Sequence, residues 1–299
     1  MSGWNLIKMF IKKYIQNIFS KKPGLTYLEP NNTTSKKEQI INSTKYDMVK
    51  EHDEHYYAKQ YMHWILQAIK TEGLPLNSFC LDLGCGQGRV AFPLAKHFKK
   101  GKVIGVDFSY SAIKKANDYS LEENLENVEF SVSSIKDAIN HYSPSSFSVI
   151  IMNEVTFYYP EWVHLLEKII SILKPGGLLV FSFRSQYFNA LHLVKNRLFS
   201  NIDLLLNKRI GSVFNGPVIM SWNKSDEIRE LFTRELSMNL LNLVGIGCCS
   251  GIKDDPHEGI IRPSLLSKKD QHSLMRLEIE LGQELPDAGR YMLAIAKKK

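Results

Sequence analysis

The run FCLDLGCGQGRVAFPLA, residues 79–95, ends an apolar strand on the acid Asp82 and follows it with Gly84, Gly86 and Gly88 before a helix. Glycines so spaced let the backbone turn tightly and approach a bound molecule, and the helix start beyond them offers N–H groups that lack intrahelical acceptors. The pattern is GxGxG and so differs from the GxGxxG of pyrophosphate-binding dehydrogenases. About twenty residues further on, the strand VIGV ends in Asp107, placed to accept hydrogen bonds from both hydroxyls of a ribose. The pair discriminates better than the glycines alone, which also occur in structural turns. The four cysteines suit neither a bridge nor zinc: Cys80 and Cys85 fall in the strand and its turn, Cys248 and Cys249 are adjacent, and no CxxC pair occurs. No metal is expected, and reduced thiols fit a cytoplasmic setting.

Holding an acid and a glycine turn at strand ends calls for a sheet, and the hydropathy pattern supplies one. Apolar runs at 79–83, 102–106, 128–132, 147–153 and 178–184 alternate with amphipathic helices near 54–72, 88–98, 110–120 and 161–173. Strands separated by helices imply right-handed crossovers and an α/β, doubly wound parallel sheet. Further on come a helix SDEIRELFTRE with Ser225 as its N-cap, a strand LNLVGIG, a loop PHEGIIRP, a helix from about Lys268 to Leu281, and a strand RYMLAIA from Arg290.

The chain has 299 residues, 44% of them hydrophobic and 23% charged, with 18 Gly and 11 Pro. Such figures exclude collagen, low-complexity disorder and a disulfide scaffold. The net charge of +7 is uneven: residues 1–50 hold nine Lys against two Glu and one Asp, and Lys297 to Lys299 close the chain. The remaining body is slightly acidic, which argues against a nucleic-acid partner. From Trp4 to Phe19 the residues Leu6, Ile7, Phe10, Ile11, Tyr14, Ile15 and Ile18 recur at helical spacing opposite Lys8, Lys12 and Lys13. This basic amphipathic helix is too charged to span a bilayer; it suits peripheral contact with an anionic membrane through residues 4–22, or docking on its own domain or a partner. Residues 1–45 thus read as helix and linker, and 46–299 as the body.

In the glycine run, in GVDFSYSAIKKA, in FSVIIMNEV and in LKPGGLLVFS at residues 173–182, the sequence resembles the class I S-adenosylmethionine-dependent methyltransferases, and particularly their small-molecule branch. The resemblance extends from about Tyr46 to the C-terminus. It implies a Rossmann-like, seven-stranded sheet with the last strand antiparallel. It also implies S-adenosyl-L-methionine as cofactor, bound by Asp82, Gly84, Cys85, Gly86, Gly88, Asp107, Phe108, Ser134, Ile135 and Asn153. Ser134 stands where the family usually carries an adenine-contacting Asp.

Methyl transfer from a sulfonium is an in-line displacement, so the protein has to align the acceptor, exclude water and, where needed, remove a proton. Tyr56, Tyr57, Phe108, Phe157, Tyr158 and Tyr159 are aromatic faces for a sulfonium near the expected pocket mouth. By analogy with the family, the residues after strand four face the methyl group. Glu154 is the candidate base or acceptor-orienting carboxylate, or else a support for its loop; Tyr158 lies beside it, and His55, with His52 and His63, is a further candidate base. An aromatic and aliphatic segment at 185–223 reads as an inserted lid over a small organic acceptor, or as a second hydrophobic layer. Neither the Pro-Pro-aromatic tetrapeptide of nucleic-acid amino-methyltransferases nor a Pro-Cys nucleophile is present. Protein methylation, with the enzyme held at a membrane, and cofactor binding without catalysis are the alternatives.

Overall fold

The computed structural model describes residues 25–26, 47–157, 159, 162–212 and 218–299. The expected amphipathic helix at 4–19, nearly all of the linker, and Tyr158 lie outside the described residues. The body begins with helix α1 (His52–Thr71) and continues as β1 (Phe79–Leu83), α2 (Ala91–His97), β2 (Lys102–Asp107), α3 (Tyr110–Glu122), β3 (Val128–Val132), α4 (Ile135–Asn140), β4 (Phe147–Met152), α5 (Trp162–Ile172) and β5 (Leu173–Arg184). The inserted segment holds α6 (Gln186–Lys195), a 3₁₀ turn (Phe199–Asn201), a π-helical turn (Leu204–Lys208) and a ribbon of β6 (Ile210–Gly211) with β7 (Met220–Ser221). Then follow α7 (Ser225–Glu230), β8 (Asn239–Ile246), α8 (Lys268–Glu284) and β9 (Tyr291–Lys297).

Seven strands form one sheet in the order β3-β2-β1-β4-β5-β9-β8. All neighbours from β3 to β5 pair in parallel, and β9 runs antiparallel to both β5 and β8. The chain winds outward from β1 to β3 and then returns to place β4 on the other side of β1. Ligands of such sheets enter at the carboxyl ends of the strands where the order reverses, here between β1 and β4.

Both faces of the sheet are covered, so its strands read as continuous apolar runs; every residue of β4 is buried. Alternate residues serve opposite layers. Cys80, Val149, Ile151, Val180 and Ile295 pack under α1 with Tyr61, Trp64 and Ile65. Leu81, Leu83, Ile150, Met152, Phe181 and Phe183 pack under α5 with Trp162, Leu166 and Ile169. Helix α5 faces them with Trp162, Val163, Leu166, Ile169 and Ile172, the stripe of a one-sided helix.

Some local expectations are corrected. Ser225 is not the N-cap of α7: Lys224 holds that position, and the Ser225 amide and hydroxyl both bond to Asp287 from the turn before β9. A tertiary carboxylate has displaced the local capping bond. Strand β5 starts at Leu173 rather than 178, because Leu173 pairs with Phe147 ahead of a register shift. The short helix α4 lies in a stretch to which the sequence pattern assigns no element, and the segment PHEGIIRP contains a 3₁₀ turn, Pro256–Gly259, and leads into a second, Pro263–Leu265.

Helix α1 is bound to the segment between β8 and β9 through Glu278 on α8, which is fully buried. Its Oε2 accepts from Tyr56 Oη at 2.8 Å and Gln60 Nε2 at 2.6 Å, while Oε1 accepts the Cys249 and Ser250 amides, each at 2.8 Å. Glu278→Leu leaves these buried donors without an acceptor and is expected to destabilise the protein by about 3 kcal/mol or more, read as a lower urea midpoint; Glu278→Gln, which keeps one acceptor, is expected to lose less.

Candidate active site

The turn after β1 takes its shape from three left-handed glycines, with φ +76° at Gly84, +53° at Gly86 and +89° at Gly88. A side chain at Gly84 would also overlap Val155, and one at Gly88 would press on Phe92 and Phe130. The turn is tied to β2: the Gly84 and Cys85 amides donate to Val106 O at 2.8 and 3.0 Å, and the Gly86 amide donates to Asp107 Oδ2 at 3.0 Å. Asp107 Oδ1 accepts the Ser109 amide at 2.8 Å. Backbone amides therefore aim this carboxylate from both sides, and each oxygen keeps a lone pair for a further donor. Burial pushes the Asp107 carboxyl up, against the pull of the Ser109, Gly86 and Phe108 amides.

Asp82 is buried beneath the turn, and its carboxyl is pushed up to about 7 by burial and by the neighbouring Asp107 charge, with Arg89 opposing. Cys85 is buried, and burial raises its thiol well above the ordinary value. Phe108 is half-buried at the end of β2. Asn153, at the end of β4, is 8% exposed, and neither its Oδ1 nor its Nδ2 has a protein partner. An amide left so is available to a ligand, since buried polar groups are otherwise satisfied. Ser134 caps α4, accepting from the Asp137 amide at 3.1 Å and donating to Asp137 Oδ2 at 2.7 Å, with Ile135 buried behind it. Met48 donates its amide to Gln87 Oε1 at 2.9 Å, so the chain ahead of α1 crosses the glycine turn.

Arg89, the residue after the last glycine of the turn, was not among the candidates from sequence. Its Nη1 lies 2.5 Å from Glu54 Oε2 on α1, and its Nη2 lies 2.5 Å from Glu154 Oε1 after β4. Its guanidinium sits 5.8 Å from the centre of the Tyr61 ring. Burial works against ionising Glu154, but Arg89 and Arg290 outweigh it and hold the carboxyl below its usual value; at Glu54 burial wins and the carboxyl is raised. Glu154 has φ +58°, uncommon for a residue with a side chain, and its amide donates to Ser182 Oγ at 2.6 Å. A charged residue following the glycine turn was the only hint of Arg89 in the sequence, and its two partners are 35 and 65 positions away.

The structure brings Asp82, the three glycines, Cys85, Asp107, Asn153 and Glu154 together at the carboxyl ends of β1, β2 and β4. It leaves His52, His55 and His63 exposed on the outer side of α1, with Glu54 turned inward in their place. Burial and neighbouring Lys59 lower the His55 ring. Tyr56 and Tyr57 point away from the turn, their hydroxyls bonded to Glu278 and to Ser250 O. Phe157 is buried and stacks on Tyr291 of β9, ring centres 5.5 Å apart. Arg184 at the end of β5 and Arg290 ahead of β9 lie within 5.2 and 5.3 Å of that Tyr291 ring, and neither was singled out from sequence.

Residues 77–233 match a family described as "Methyltransferase domain". Among curated relatives, demethylmenaquinone methyltransferase of Lactococcus lactis is 32% identical over 123 residues, 41% of this chain and 48% of that protein. Ubiquinone biosynthesis O-methyltransferase of Paracidovorax citrulli is 29% identical over 102 residues, 34% of this chain and 42% of that protein. The chain thus spans about half the length of the curated relatives it matches. Among solved structures, magnesium protoporphyrin IX methyltransferase from Synechocystis PCC 6803, with SAH bound, superposes with a TM-score of 0.51 at 13% identity over 88% of this chain and 92% of its own, a likeness of fold. The glycine turn, the Asp107 carboxylate and the orphaned Asn153 amide fit the cofactor of that family. With its family match over more than half its length and a seven-stranded sheet carrying one antiparallel strand, the chain belongs to the class I S-adenosylmethionine-dependent methyltransferases.

Proposed function

We propose that the protein transfers a methyl group from S-adenosyl-L-methionine to a small organic acceptor at an O, N or C atom. The observation that carries this reading is the aromatic wall beyond Glu154. Phe157 after β4 and Tyr291 at the start of β9 are buried and stacked, and Phe188 on α6 and Trp222 after β7, both part of the inserted segment, are buried as well. Such a site suits a small planar molecule better than an extended chain. The curated relatives above carry names of enzymes for quinone-type molecules, which supports the same class.

Bound S-adenosyl-L-methionine supplies an electrophilic methyl on a sulfonium. In this proposal the backbone of Gly84, Cys85, Gly86 and Gly88 follows its amino-acid end, Asp107 accepts from the ribose, Phe108, Ser134 and Ile135 border the adenine, and Asn153 donates and accepts through its unsatisfied amide. Asp82 places a counter-charge near the cation. Glu154, kept ionised by Arg89, orients the acceptor rather than taking its proton, because a carboxylate held below its usual range is a poor base at neutral pH. Tyr158, four positions further along the sequence, is proposed to border the acceptor. Residues 185–223 act as a lid on the cytoplasmic enzyme. No described helix is long and apolar enough to cross a membrane, and residues 4–22 are proposed to hold the enzyme against an anionic bilayer.

Incubation with labelled donor and a cell lysate is expected to move label into the small-molecule fraction; label in the protein fraction would favour the protein-methylating alternative. Calorimetry is expected to show donor binding that falls at least tenfold in Asp107→Ala, and absence of binding in the unaltered protein would defeat the enzyme reading. The Asp82 carboxyl, near 7 when free, ionises more readily beside a cation, so donor affinity should rise as pH increases from 6 to 8. In Asp82→Asn that slope should flatten. Pelleting with anionic liposomes should fall when residues 1–22 are removed; equal pelleting would exclude this segment as the anchor.

A further inference from the structure

The acceptor side of the cleft holds an unusual concentration of buried cations and unmet donors. Arg184 is 3% exposed, and its guanidinium sits 4.5 Å from the Phe188 ring and 5.2 Å from Tyr291. Arg290 approaches the same Tyr291 ring at 5.3 Å and Tyr57 at 5.6 Å. Two like charges around one buried ring repel in a medium that screens them poorly. The carboxylate nearest Arg290 is Asp255, 3.5 Å from its Nη1, and Asp255 also accepts the Ile252, His257 and Glu258 amides.

Three donor-capable atoms in this cluster have no partner. Asn189 is fully buried on α6, where Oδ1 accepts from Arg184 Nε at 3.0 Å and Nδ2 bonds to nothing. Arg290 Nε is likewise unpartnered, as is Nδ1 of buried His257, whose ring meets Phe188 at 5.1 Å. On α6 the His192 ring, one turn along, is pushed down to about 3 by burial and then by Arg184, Arg290 and Lys195, while Glu54 and Asp255 favour the charge of Arg290 itself. Burial and the nearby Arg290 also lower Arg184. Guanidinium groups with an adjacent amide donor match the planar, two-oxygen face of an anion.

We infer that Arg184, Asn189 and Arg290 form an anion-recognition subsite beside the methyl-transfer cleft, so that the acceptor is a planar molecule bearing a carboxylate or phosphate group. The placement follows from topology. Arg184 closes β5 and Arg290 precedes the antiparallel β9, so both lie at the sheet edge that carries Glu154 and Phe157, on the side of β4 away from the glycine turn. The inference rests on the methyltransferase reading for its meaning as an acceptor site. These residues then act as specificity determinants and take no part in bond making.

The test is calorimetry of the full-length protein loaded with S-adenosylhomocysteine and titrated with benzoate, phenyl phosphate and the neutral benzamide. At least one anion is expected to bind tenfold or more tightly than benzamide, and which one does so separates carboxylate from phosphate. Arg184→Gln and Asn189→Leu should each abolish that preference and leave S-adenosylhomocysteine affinity within twofold. Where the arginine variant loses its circular dichroism signature, Asn189→Leu carries the comparison, and the ranking by the unaltered protein needs neither variant. Equal binding of the three probes, no binding of any of them, or a preference that survives in a folded variant overturns the subsite. Failure of S-adenosylhomocysteine itself to bind is a different result, defeating the methyltransferase reading and the subsite's role together.

Discussion

The Arg89 guanidinium joins three parts of the chain that the sheet alone does not hold together. It follows the glycine turn directly, reaches Glu54 on the helix that covers the cleft, and reaches Glu154 in the loop after β4. Removing such a cation from water is costly, and the cost is offset only when its partners are close and well aligned. Two carboxylates at 2.5 Å meet that condition. One consequence is chemical: Arg89 and Arg290 hold the Glu154 carboxyl below its usual value, while at Glu54 burial outweighs Arg89 and raises it. The other is geometric, because the left-handed backbone at Glu154 persists with its side chain held by Arg89 and its amide by Ser182.

The same logic runs along the strand ends. From β2 to β9 the carboxyl edge of the sheet changes from acids to bases: Asp107 and Asp82 on one side, Glu154 balanced by Arg89 at the centre, Arg184 and Arg290 on the other. Backbone amides aim Asp107, and burial raises both acids, so a cation beside them would restore their charge. The bases pack on aromatic faces, which prepares their side for electron-rich or anionic groups. A single sheet edge thus presents acids on one side and bases on the other, with the loop after β4 between them.

Much of this scaffold was legible in the residues. Strands buried on both sides leave uninterrupted apolar runs, and the glycine turn with Asp107 marks where they end, so β1 to β4 and helices α2 and α3 follow closely from pattern, whereas the short α4 does not. The missed parts share one cause. Ser225 reads as a cap from its neighbours, and the distant Asp287 takes it instead. The histidines of α1 suggest chemistry by type, yet the helix phase that buries Tyr57, Tyr61 and Ile65 turns them outward. Arg89, Arg184 and Arg290 look like solvated charges in one dimension, because a buried ion pair has no local signature when its partners lie tens of residues away.

Charge shows how far composition can mislead. The body of the chain is nearly neutral overall, but neutrality in sum conceals separation within. Arg89, Arg184, Arg209 and Arg290 all have low exposure, and Glu54, Glu154, Glu227, Asp255 and Glu278 are buried or nearly so. Glu278 and the pair of Arg209 with Glu227 are matched by protein groups and fasten the C-terminal elements and the inserted segment. Arg184 and Arg290 share an aromatic ring, Arg184 bonding Asn189 and Arg290 pairing with Asp255, while Asn189 Nδ2 and Arg290 Nε have no partner. Since unmet buried donors cost stability, a fold that keeps them beside its cleft favours a ligand that completes them.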